Sequence, residues 1–276
     1  MKNIHAAKTL HNGVQMPYLG LGVYKMTEEE TSAESIRYAV NTGYRLIDTA
    51  TLYENEHIVG RAVKESDVER EKLFITTKVW NTDQGYDAAL RAFEQSMKKL
   101  DMDYLDLYMI HWPVQGKYKD TWRALERLYD EKAVKAIGVC NFQIHHLEEL
   151  AAVSNEKPVV NQVELHPRLS QEPLREYCQE QNIAVEAWSP IARGRLLEEP
   201  TLKHLAEKHR KTPAQIILRW HLQNGVIVIP KSIHKDRIRE NADVFDFELS
   251  MNEMNKISAL NMDERYGPDP DNLNFS

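Results

Sequence analysis

The sequence has little cysteine, no long apolar segment and no excess of positive charge. Its two cysteines, Cys140 and Cys178 in 276 residues, are too few for a disulfide framework and lack the paired spacing of a zinc site. No apolar stretch approaches the roughly 18 residues of a membrane span, and the N-terminus has no apolar signal-peptide core. The net charge of −7 is opposite to the clustered positive charge that nucleic-acid binding needs. These absences predict a cytoplasmic protein with no metal, membrane or nucleic-acid partner.

The common nucleotide-binding and protease motifs are also missing. Gly20 and Gly22 form a G-x-G, but Lys25 occupies the third glycine position of the dinucleotide fingerprint. There is no P-loop and no His-Glu-x-x-His. An open doubly wound sheet would normally carry such a Gly-rich turn, so it is the weaker of two α/β alternatives.

Short apolar runs alternate with amphipathic segments along the chain. An Asn12-Gly13 pair between apolar residues predicts an N-terminal β-hairpin, and Thr27 is expected to cap the first helix. Further strands are predicted at 19–23, 46–48, 73–78, 105–111, 136–140, 159–162, 184–188 and 226–230, and helices at 55–65, 88–100, 121–130, 145–152, 173–181 and 213–222. Eight β-then-α steps without a long linker predict one (β/α)8 TIM barrel domain over residues 1–276, ending in a short C-terminal tail.

Polar residues close several of the predicted strands. Asp48, Lys78 and His111 follow successive apolar runs at intervals of 30 and 33 residues (78 − 48 and 111 − 78), near the length of one strand–helix unit. Tyr53 lies in the loop after Asp48. Because the carboxyl ends of barrel strands meet at one face, we expect these four side chains to lie together. Taken singly, each could be a helix cap, a solvated charge or a core histidine.

Together these groups could polarise a carbonyl and give it a proton. A phenol, with a reference pKa of about 10, is a poor acid unless its phenolate is stabilised. Lys78 would favour ionisation of Tyr53, and Asp48 would keep Lys78 charged. His111 could hydrogen-bond the carbonyl oxygen. Such a site needs a hydride donor.

Two groups of residues indicate a nicotinamide nucleotide. Four basic residues lie within a stretch of nine residues, although the chain as a whole is acidic, and they stand at the start of a predicted helix. This arrangement suits a phosphate monoester such as the 2′-phosphate of NADP. A solvated basic helix is the alternative. The four basic residues are Lys231, Lys235, Arg237 and Arg239. Asn141 and Gln162 could hydrogen-bond the carboxamide group of a nicotinamide. Trp188 could stack on the nicotinamide ring or pack in the barrel core.

Seven ordered motifs resemble the aldo-keto reductase superfamily over nearly the whole chain. The resemblance is closest to the bacterial branch that contains glyoxal, methylglyoxal and 2,5-diketogluconate reductases. The motifs are Leu19-Gly20-Leu21-Gly22, residues 43–50 with 53–56, Ile75-Thr76-Thr77-Lys78, residues 106–113, Gly138-Val139-Cys140-Asn141-Phe142, Asn161-Gln162-Val163-Glu164 and Ile229-Pro230-Lys231-Ser232.

The resemblance implies a barrel that binds NADPH/NADP+ without a Rossmann domain. It makes Tyr53 the proton donor, tuned by Asp48 and Lys78, with His111 orienting the substrate. The implied cofactor contacts are Cys140, Asn141, Gln162, Trp188, Ser189, Ile191, Arg193, Lys231, Ser232, Arg237, Glu240 and Asn241. Cys140 stands where the family usually has serine, and Trp188 where animal relatives have tyrosine.

The expected function is NADPH-dependent reduction of aldehydes and α-dicarbonyls to alcohols, a detoxification reaction carried out by a monomer. Methylglyoxal, glyoxal and diketo sugar acids are the expected small carbonyl substrates. Tyr24, Trp80 and Trp112, with His111, are the expected substrate contacts; the three aromatic residues could form walls beside the nicotinamide or simply cap the barrel. In the family a long C-terminal loop shapes specificity, so the short tail here implies an open pocket for small, reactive carbonyls. A Schiff-base aldolase using Lys78 and a non-catalytic NADPH-sensing subunit are the alternatives.

Overall fold

An antiparallel hairpin precedes the main sheet in the computed structural model, which describes residues 3–272. Strands β1 (Ala7–Thr9) and β2 (Gln15–Pro17) pair around Asn12 and Gly13. Gly13 has φ of 88°, a left-handed conformation that glycine adopts without steric cost. The predicted hairpin is therefore confirmed.

Eight parallel strands form the barrel that the alternating pattern predicts. They are β3 (Gly20–Gly22), β4 (Leu46–Asp48), β5 (Phe74–Val79), β6 (Leu107–Ile110), β7 (Ile137–Cys140), β8 (Val160–Glu164), β9 (Ala184–Trp188) and β10 (Ile227–Val228). Each strand pairs with the next along the chain. A parallel bridge between Leu19 and Val228 joins the last strand to the first, so the sheet closes as a (β/α)8 barrel.

Ten α-helices of the described residues surround these strands. They are α1 (Glu29–Thr42), α2 (Glu56–Lys64), α3 (Tyr86–Leu100), α4 (Tyr118–Asp130), α5 (Ile144–Ala151), α6 (Glu172–Glu180), α7 (Pro200–His209), α8 (Pro213–Gln223), α9 (Lys235–Ala242) and α10 (Met251–Ser258). Helices α7 and α10 were not predicted. Within residues 3–272, no helix is both long and apolar enough to cross a bilayer.

The cap of α1 corrects one sequence prediction. The N-cap residue is Glu28 and not Thr27, because the Glu28 carboxylate accepts the backbone N–H of Thr31 and also its hydroxyl, at 3.3 and 2.8 Å. A carboxylate at this position also interacts favourably with the positive end of the helix dipole.

The barrel lumen has an apolar floor under a polar layer. On β5 the side chain of Phe74 packs in the lumen cluster and that of Ile75 in the outer, helix-facing cluster. The period of two along a strand therefore puts Thr76 and Lys78 on the lumen face, above Phe74. Buried Met16, from the hairpin, belongs to the same lumen cluster. The hairpin thus closes the barrel at the end opposite the polar groups.

We expect Met16→Ala to lower the free energy of unfolding by about 2–5 kcal/mol, because it leaves a cavity in a packed lumen. Met16 has 0% exposed surface. The matched control is Met251→Ala, at a side chain that is 76% exposed, where a change within about 0.5 kcal/mol is expected. Chemical denaturation of both variants measures the difference. Equal losses would show that the hairpin does not seal the barrel.

Candidate active site

A buried ion pair lies at the carboxyl end of β4 and β5. Lys78 Nζ donates to Asp48 Oδ1 and Oδ2, at 2.9 and 2.7 Å, and to the carbonyl oxygen of Thr49 at 2.9 Å. Burial is the largest single effect and lowers the pKa of Lys78, but the charge of Asp48, then Tyr53 and Cys140, and the hydrogen bond to Asp48 together outweigh it, so the net pKa is raised. Lys78 is therefore a charged ammonium with all three N–H groups engaged.

Tyr53 lies beside this ammonium, as the sequence predicts. It ends a 3-10 turn, Thr51–Tyr53, and the centre of its ring is 5.2 Å from Lys78 Nζ. Burial raises the pKa of Tyr53, while the positive charge of Lys78 acts in the opposite, predicted direction. Burial is the larger effect. Tyr53 is thus a protonated phenol at neutral pH.

Side chains around Tyr53 fasten its loop to neighbouring elements. Asn55 accepts from the Thr49 hydroxyl at 2.6 Å, and its amide N–H groups donate to the carbonyls of Val23 and Met26 at 2.8 and 3.0 Å. The Thr51 hydroxyl donates to the carbonyl of Lys78 at 2.9 Å. Since these bonds reach the segment after β3 and strand β5, the position of the phenol is fixed by the barrel itself.

His111, after β6, completes the predicted group of four. Its ring centre is 5.8 Å from that of Tyr53, with the rings nearly perpendicular. Burial, and then the charge of Lys78, hold the pKa of His111 well below its usual range. A neutral imidazole carries one N–H, so His111 can donate a hydrogen bond at neutral pH without carrying charge.

Aromatic side chains surround the tyrosine and histidine rings. Trp80 lies edge-on to His111 at 5.1 Å, and Trp112 is nearly parallel to it at 6.5 Å. Tyr24 lies 5.0 Å from Tyr53 and is 49% exposed. The structure thus brings all three predicted wall residues to the barrel mouth, where Tyr24 borders solvent.

The predicted carboxamide-binding residues form one network with the ion pair. Asn141 donates from Nδ2 to the carbonyl of His111 at 2.9 Å, and its Oδ1 accepts from Trp188 Nε1 at 2.8 Å. Gln162 donates from Nε2 to Asp48 at 2.9 Å, and its Oε1 faces the Cys140 thiol at 3.6 Å. Gln162 Oε1 therefore keeps acceptor capacity for a ligand at the mouth.

The segment after β9 carries the three residues expected along a pyrophosphate. Ser189 and Arg193 both adopt left-handed backbone conformations, with φ of 49° and 54°. Ser189 and Ile191 are half-buried and Arg193 is exposed. The chain thus turns sharply at the mouth, next to Trp188.

The four clustered basic residues do not form a single pocket. Lys235 is paired with Glu34 at 2.5 Å, and Arg239 with Asp236 at 3.3 Å. Arg237 is exposed. Among the described residues it has no ion-pair partner. Lys235 and Arg239 are therefore already engaged by carboxylates, which leaves Lys231 and Arg237 as the cations of this stretch without a carboxylate partner among the described residues.

The remaining predicted nucleotide contacts lie just before α9 and in its last turn. Ser232 accepts the backbone N–H of His234 at 3.1 Å, Asn241 is buried, and Glu240 accepts from Thr212 at 2.7 Å. Lys231 has its pKa lowered by partial burial and then by the positive charge of Lys25. Lys25 had not been predicted at this site.

The C-terminal tail contacts the mouth in a way that the sequence did not predict. Buried Glu164, at the end of β8, accepts the backbone N–H groups of Tyr266 and Gly267 at 2.8 and 3.0 Å. His166 contacts the same carboxylate at 3.1 Å, and its ring stacks on Tyr266 at 4.8 Å. A Cβ on Gly267 would lie 2.3 Å from Trp188 Cη2, so the tail packs directly on this indole.

One cluster in the described part of the chain has the ligand atoms for a metal ion. Those of His145, His146 and Asp271 lie within 4.8 Å of one another. His146 Nδ1 accepts the backbone N–H of Gln143 at 3.1 Å, which places the ring proton on Nε2, the nitrogen that faces Asp271. In that tautomer His146 is a hydrogen-bond donor, not a ligand. The absence of a resident metal stays a prediction.

Residues 18–262 match the family model described as Aldo/keto reductase family. The chain belongs to this family. It is 60% identical over 266 residues to glyoxal reductase of Bacillus subtilis (strain 168), covering 96% of each chain. It is 49% identical over 266 residues to methylglyoxal reductase DkgA of Salmonella typhimurium, covering 95% of this chain and 96% of the relative.

Solved structures agree with this assignment. A variant of Gox0644 crystallised in complex with NADPH is 45% identical, with a TM-score of 0.94 over 98% of this chain and 99% of that chain. Membership in the aldo-keto reductases makes the chain an oxidoreductase. The family recognised from the sequence motifs is thus confirmed.

We expect Gly267→Ala to cost about 1–3 kcal/mol of stability, because the new methyl group overlaps the Trp188 ring. Thermal unfolding and tryptophan emission measure the cost and the displacement of the indole. In a Trp188→Phe background the ring is shorter, so the cost of Gly267→Ala should shrink. An identical cost in both backgrounds would mean that the tail does not press on Trp188.

Proposed function

We propose that this aldo-keto reductase reduces aldehydes and small α-dicarbonyls to alcohols with NADPH, using Tyr53 as the proton donor. The observation that carries the proposal is the buried Lys78–Asp48 pair, which sets an ammonium beside a protonated phenol. Neutral His111 faces the same phenol. This arrangement suits protonation of a carbonyl oxygen at neutral pH.

The residues at the mouth fit a nicotinamide nucleotide. Gln162 Oε1 can accept the N–H of a carboxamide, and the half-buried Trp188 offers a ring face. Lys25 and Lys231 repel each other and have no carboxylate partner among residues 3–272, which favours a bound anion between them. The NADPH complex of Gox0644 supports the same cofactor. When bound, NADPH supplies the hydride.

Further contacts to the cofactor remain part of the proposal. Ser189, Ile191 and Arg193 would line the pyrophosphate. Ser232, Arg237, Glu240 and Asn241 would surround the adenosine end with Lys231. Cys140, whose pKa is raised by burial, stays a neutral thiol behind Gln162 and Asn141.

The proton step follows from the charges around Tyr53. Reduction places negative charge on the carbonyl oxygen, and the Tyr53 hydroxyl would donate its proton there. The phenolate left behind is stabilised by the ammonium of Lys78, which Asp48 holds in place. His111 donates a hydrogen bond to the same oxygen and orients it.

The proposed substrates are small dicarbonyls. Tyr24, Trp80 and Trp112 lie around Tyr53 and His111 as aromatic walls, and Leu52, next to Tyr53 in the chain, is 39% exposed. The relatives named glyoxal reductase and methylglyoxal reductase support this substrate class. Diketo sugar acids, a monomeric state and a role in detoxification in the cytoplasm belong to the same proposal.

The aldolase alternative conflicts with the state of Lys78. A Schiff base forms from a neutral amine, whereas Lys78 has a raised pKa and three engaged N–H groups. A purely sensory role is disfavoured because binding a nucleotide does not require a buried ammonium beside a protonated phenol.

We expect Tyr53→Phe to lower kcat/KM for methylglyoxal by on the order of 10²–10⁴, because it removes the acidic proton. NADPH oxidation followed by absorbance measures turnover, and quenching of tryptophan fluorescence measures NADPH binding, which should stay within about twofold. Tyr129→Phe, on α4, removes a phenol outside the site and serves as the control. Undiminished turnover in Tyr53→Phe would eliminate the proton-donor assignment.

We expect Arg237→Ala to weaken NADPH by about tenfold or more and to leave NADH nearly unchanged, because only NADPH carries a 2′-phosphate. Arg239→Ala is the matched control, since it removes the same charge from the same helix at a side chain already paired with Asp236. Dissociation constants for both cofactors decide the matter. Equal losses for NADPH and NADH would refute a phosphate contact at Arg237.

A further inference from the structure

A second carboxyl group lies in the barrel lumen below the proposed catalytic residues. Glu186, on β9, has 0% exposed surface and pairs in register with Gln162 on β8 and Ile227 on β10. Ala184, two residues earlier, belongs to the apolar lumen cluster. Glu186 therefore lies where the apolar floor meets the polar layer.

Gln162 joins this carboxyl group to the ion pair. Its Nε2 donates to Asp48 Oδ1 at 2.9 Å and to Glu186 Oε2 at 2.7 Å. An amide nitrogen carries two hydrogens, so both are committed to acids and Oε1 is left to face Cys140 and the mouth. The two carboxyl groups thus hold the Gln162 amide with Nε2 toward the acids and Oε1 toward the mouth of the barrel.

The charges in the lumen do not balance if both acids are ionised. Lys78 is the ammonium here, and its N–H groups go to Asp48 and Thr49. Cys140 is a neutral thiol, and Ile227 is apolar. Glu186 Oε1 has no hydrogen-bond partner within the described residues. In a group with 0% exposed surface, an ionised oxygen without a hydrogen-bond donor from the protein is far more costly than a neutral one.

We propose that Glu186 is a neutral carboxylic acid and a positioning residue, which holds Gln162 and, through it, Asp48 of the proton-donating site. This rests on the proposed carbonyl reductase function. Ionisation of Glu186 would put a second negative charge behind Asp48. That charge opposes formation of phenolate at Tyr53 and so weakens Tyr53 as an acid.

The protonation state agrees with the surroundings of the group. Burial, and then the charge of Asp48, raise the pKa of Glu186 to about 8. Because its folded pKa lies above the ordinary 4.5, its contribution to stability is full below pH 4.5 and is lost as the pH rises through about 8. Asp48, Lys78 and Cys140 are the titratable groups that act on it from the facing strands.

Infrared spectroscopy of the cofactor-free protein tests the neutral state. At pH 6.5 the wild type should show a protonated-carboxyl stretch that disappears in Glu186→Gln. Glu253→Gln is the matched control, because Glu253 is also buried but has its pKa lowered to about 2, against burial, by bonds from Lys208 and Ser250; the band should survive there. A band that Glu186→Gln retains, or that the wild type lacks, would overturn the proposal.

The pH profile of methylglyoxal reduction tests the positioning role. In the wild type, kcat should fall on the order of threefold to tenfold as the pH passes about 8, because the new charge opposes proton donation. Glu186→Gln keeps the hydrogen-bond acceptor and cannot ionise, so its kcat should lack that step. A step of equal size in Glu186→Gln would refute the role.

A third variant separates positioning from bulk packing. Glu186→Leu removes the acceptor for Gln162 and should lower kcat about tenfold at every pH, whereas Glu186→Gln should restore most of it. If Glu186→Leu does not fold, the infrared and pH measurements on Glu186→Gln still decide. Wild-type kcat and KM in folded Glu186→Leu would refute positioning. No carbonyl reduction by the wild type, with the infrared band present, would instead defeat the proposed function and leave the neutral acid standing.

Discussion

The buried pair of Lys78 and Asp48 is the interaction on which the rest of the site depends. Removing two charges from water costs several kcal/mol for each ion, and two bonds to the carboxylate with one to the Thr49 carbonyl offset that cost. With its N–H groups engaged, the ammonium cannot turn away. Tyr53 and Gln162 are placed against this fixed pair, so the proposed proton donor and the proposed cofactor contact share one anchor.

The barrel makes such a pair possible by dividing its lumen. A single strand, β5, supplies Phe74 to the apolar floor and Lys78 to the polar layer, because alternate residues face the same way. The hairpin closes the floor with Met16. Among the described residues, Met16 and the apolar lumen cluster thus separate the charged layer from the hairpin end of the barrel. The same division leaves Glu186 at the boundary, where an unpaired ionised carboxyl group is least tolerated.

The sequence was sufficient for features that depend on local spacing. Strand-end residues 30 and 33 positions apart predicted that Asp48, Lys78 and His111 would meet, since one strand–helix unit has about that length. Helices α7 and α10 were missed although their signals are present: Pro200 opens the first, and Ser250 with Glu253 forms a capping box in the second. Their apolar faces are short, and no strand follows them directly.

Contacts between distant segments could not be predicted in this way. Lys235 is paired with Glu34, 201 positions away, so a cluster of basic residues in sequence did not become a cluster of unpaired charge. The bonds from Tyr266 and Gly267 to Glu164 span 102 and 103 positions. No periodicity specifies which carboxylate a tail will meet. Only the closed barrel brings these segments together.

The contact between the C-terminal tail and Glu164 depends on different groups from those that hold the Lys78–Asp48 pair. Glu164 holds the tail by backbone N–H groups, which every residue except proline supplies. Two tail side-chain positions are restricted as well, because a Cβ on Gly267 would meet Trp188 and the Tyr266 ring stacks on His166. The Lys78–Asp48 pair, by contrast, is held by bonds within the barrel. Changes at the tail can therefore alter the mouth while the groups proposed for proton donation stay in place.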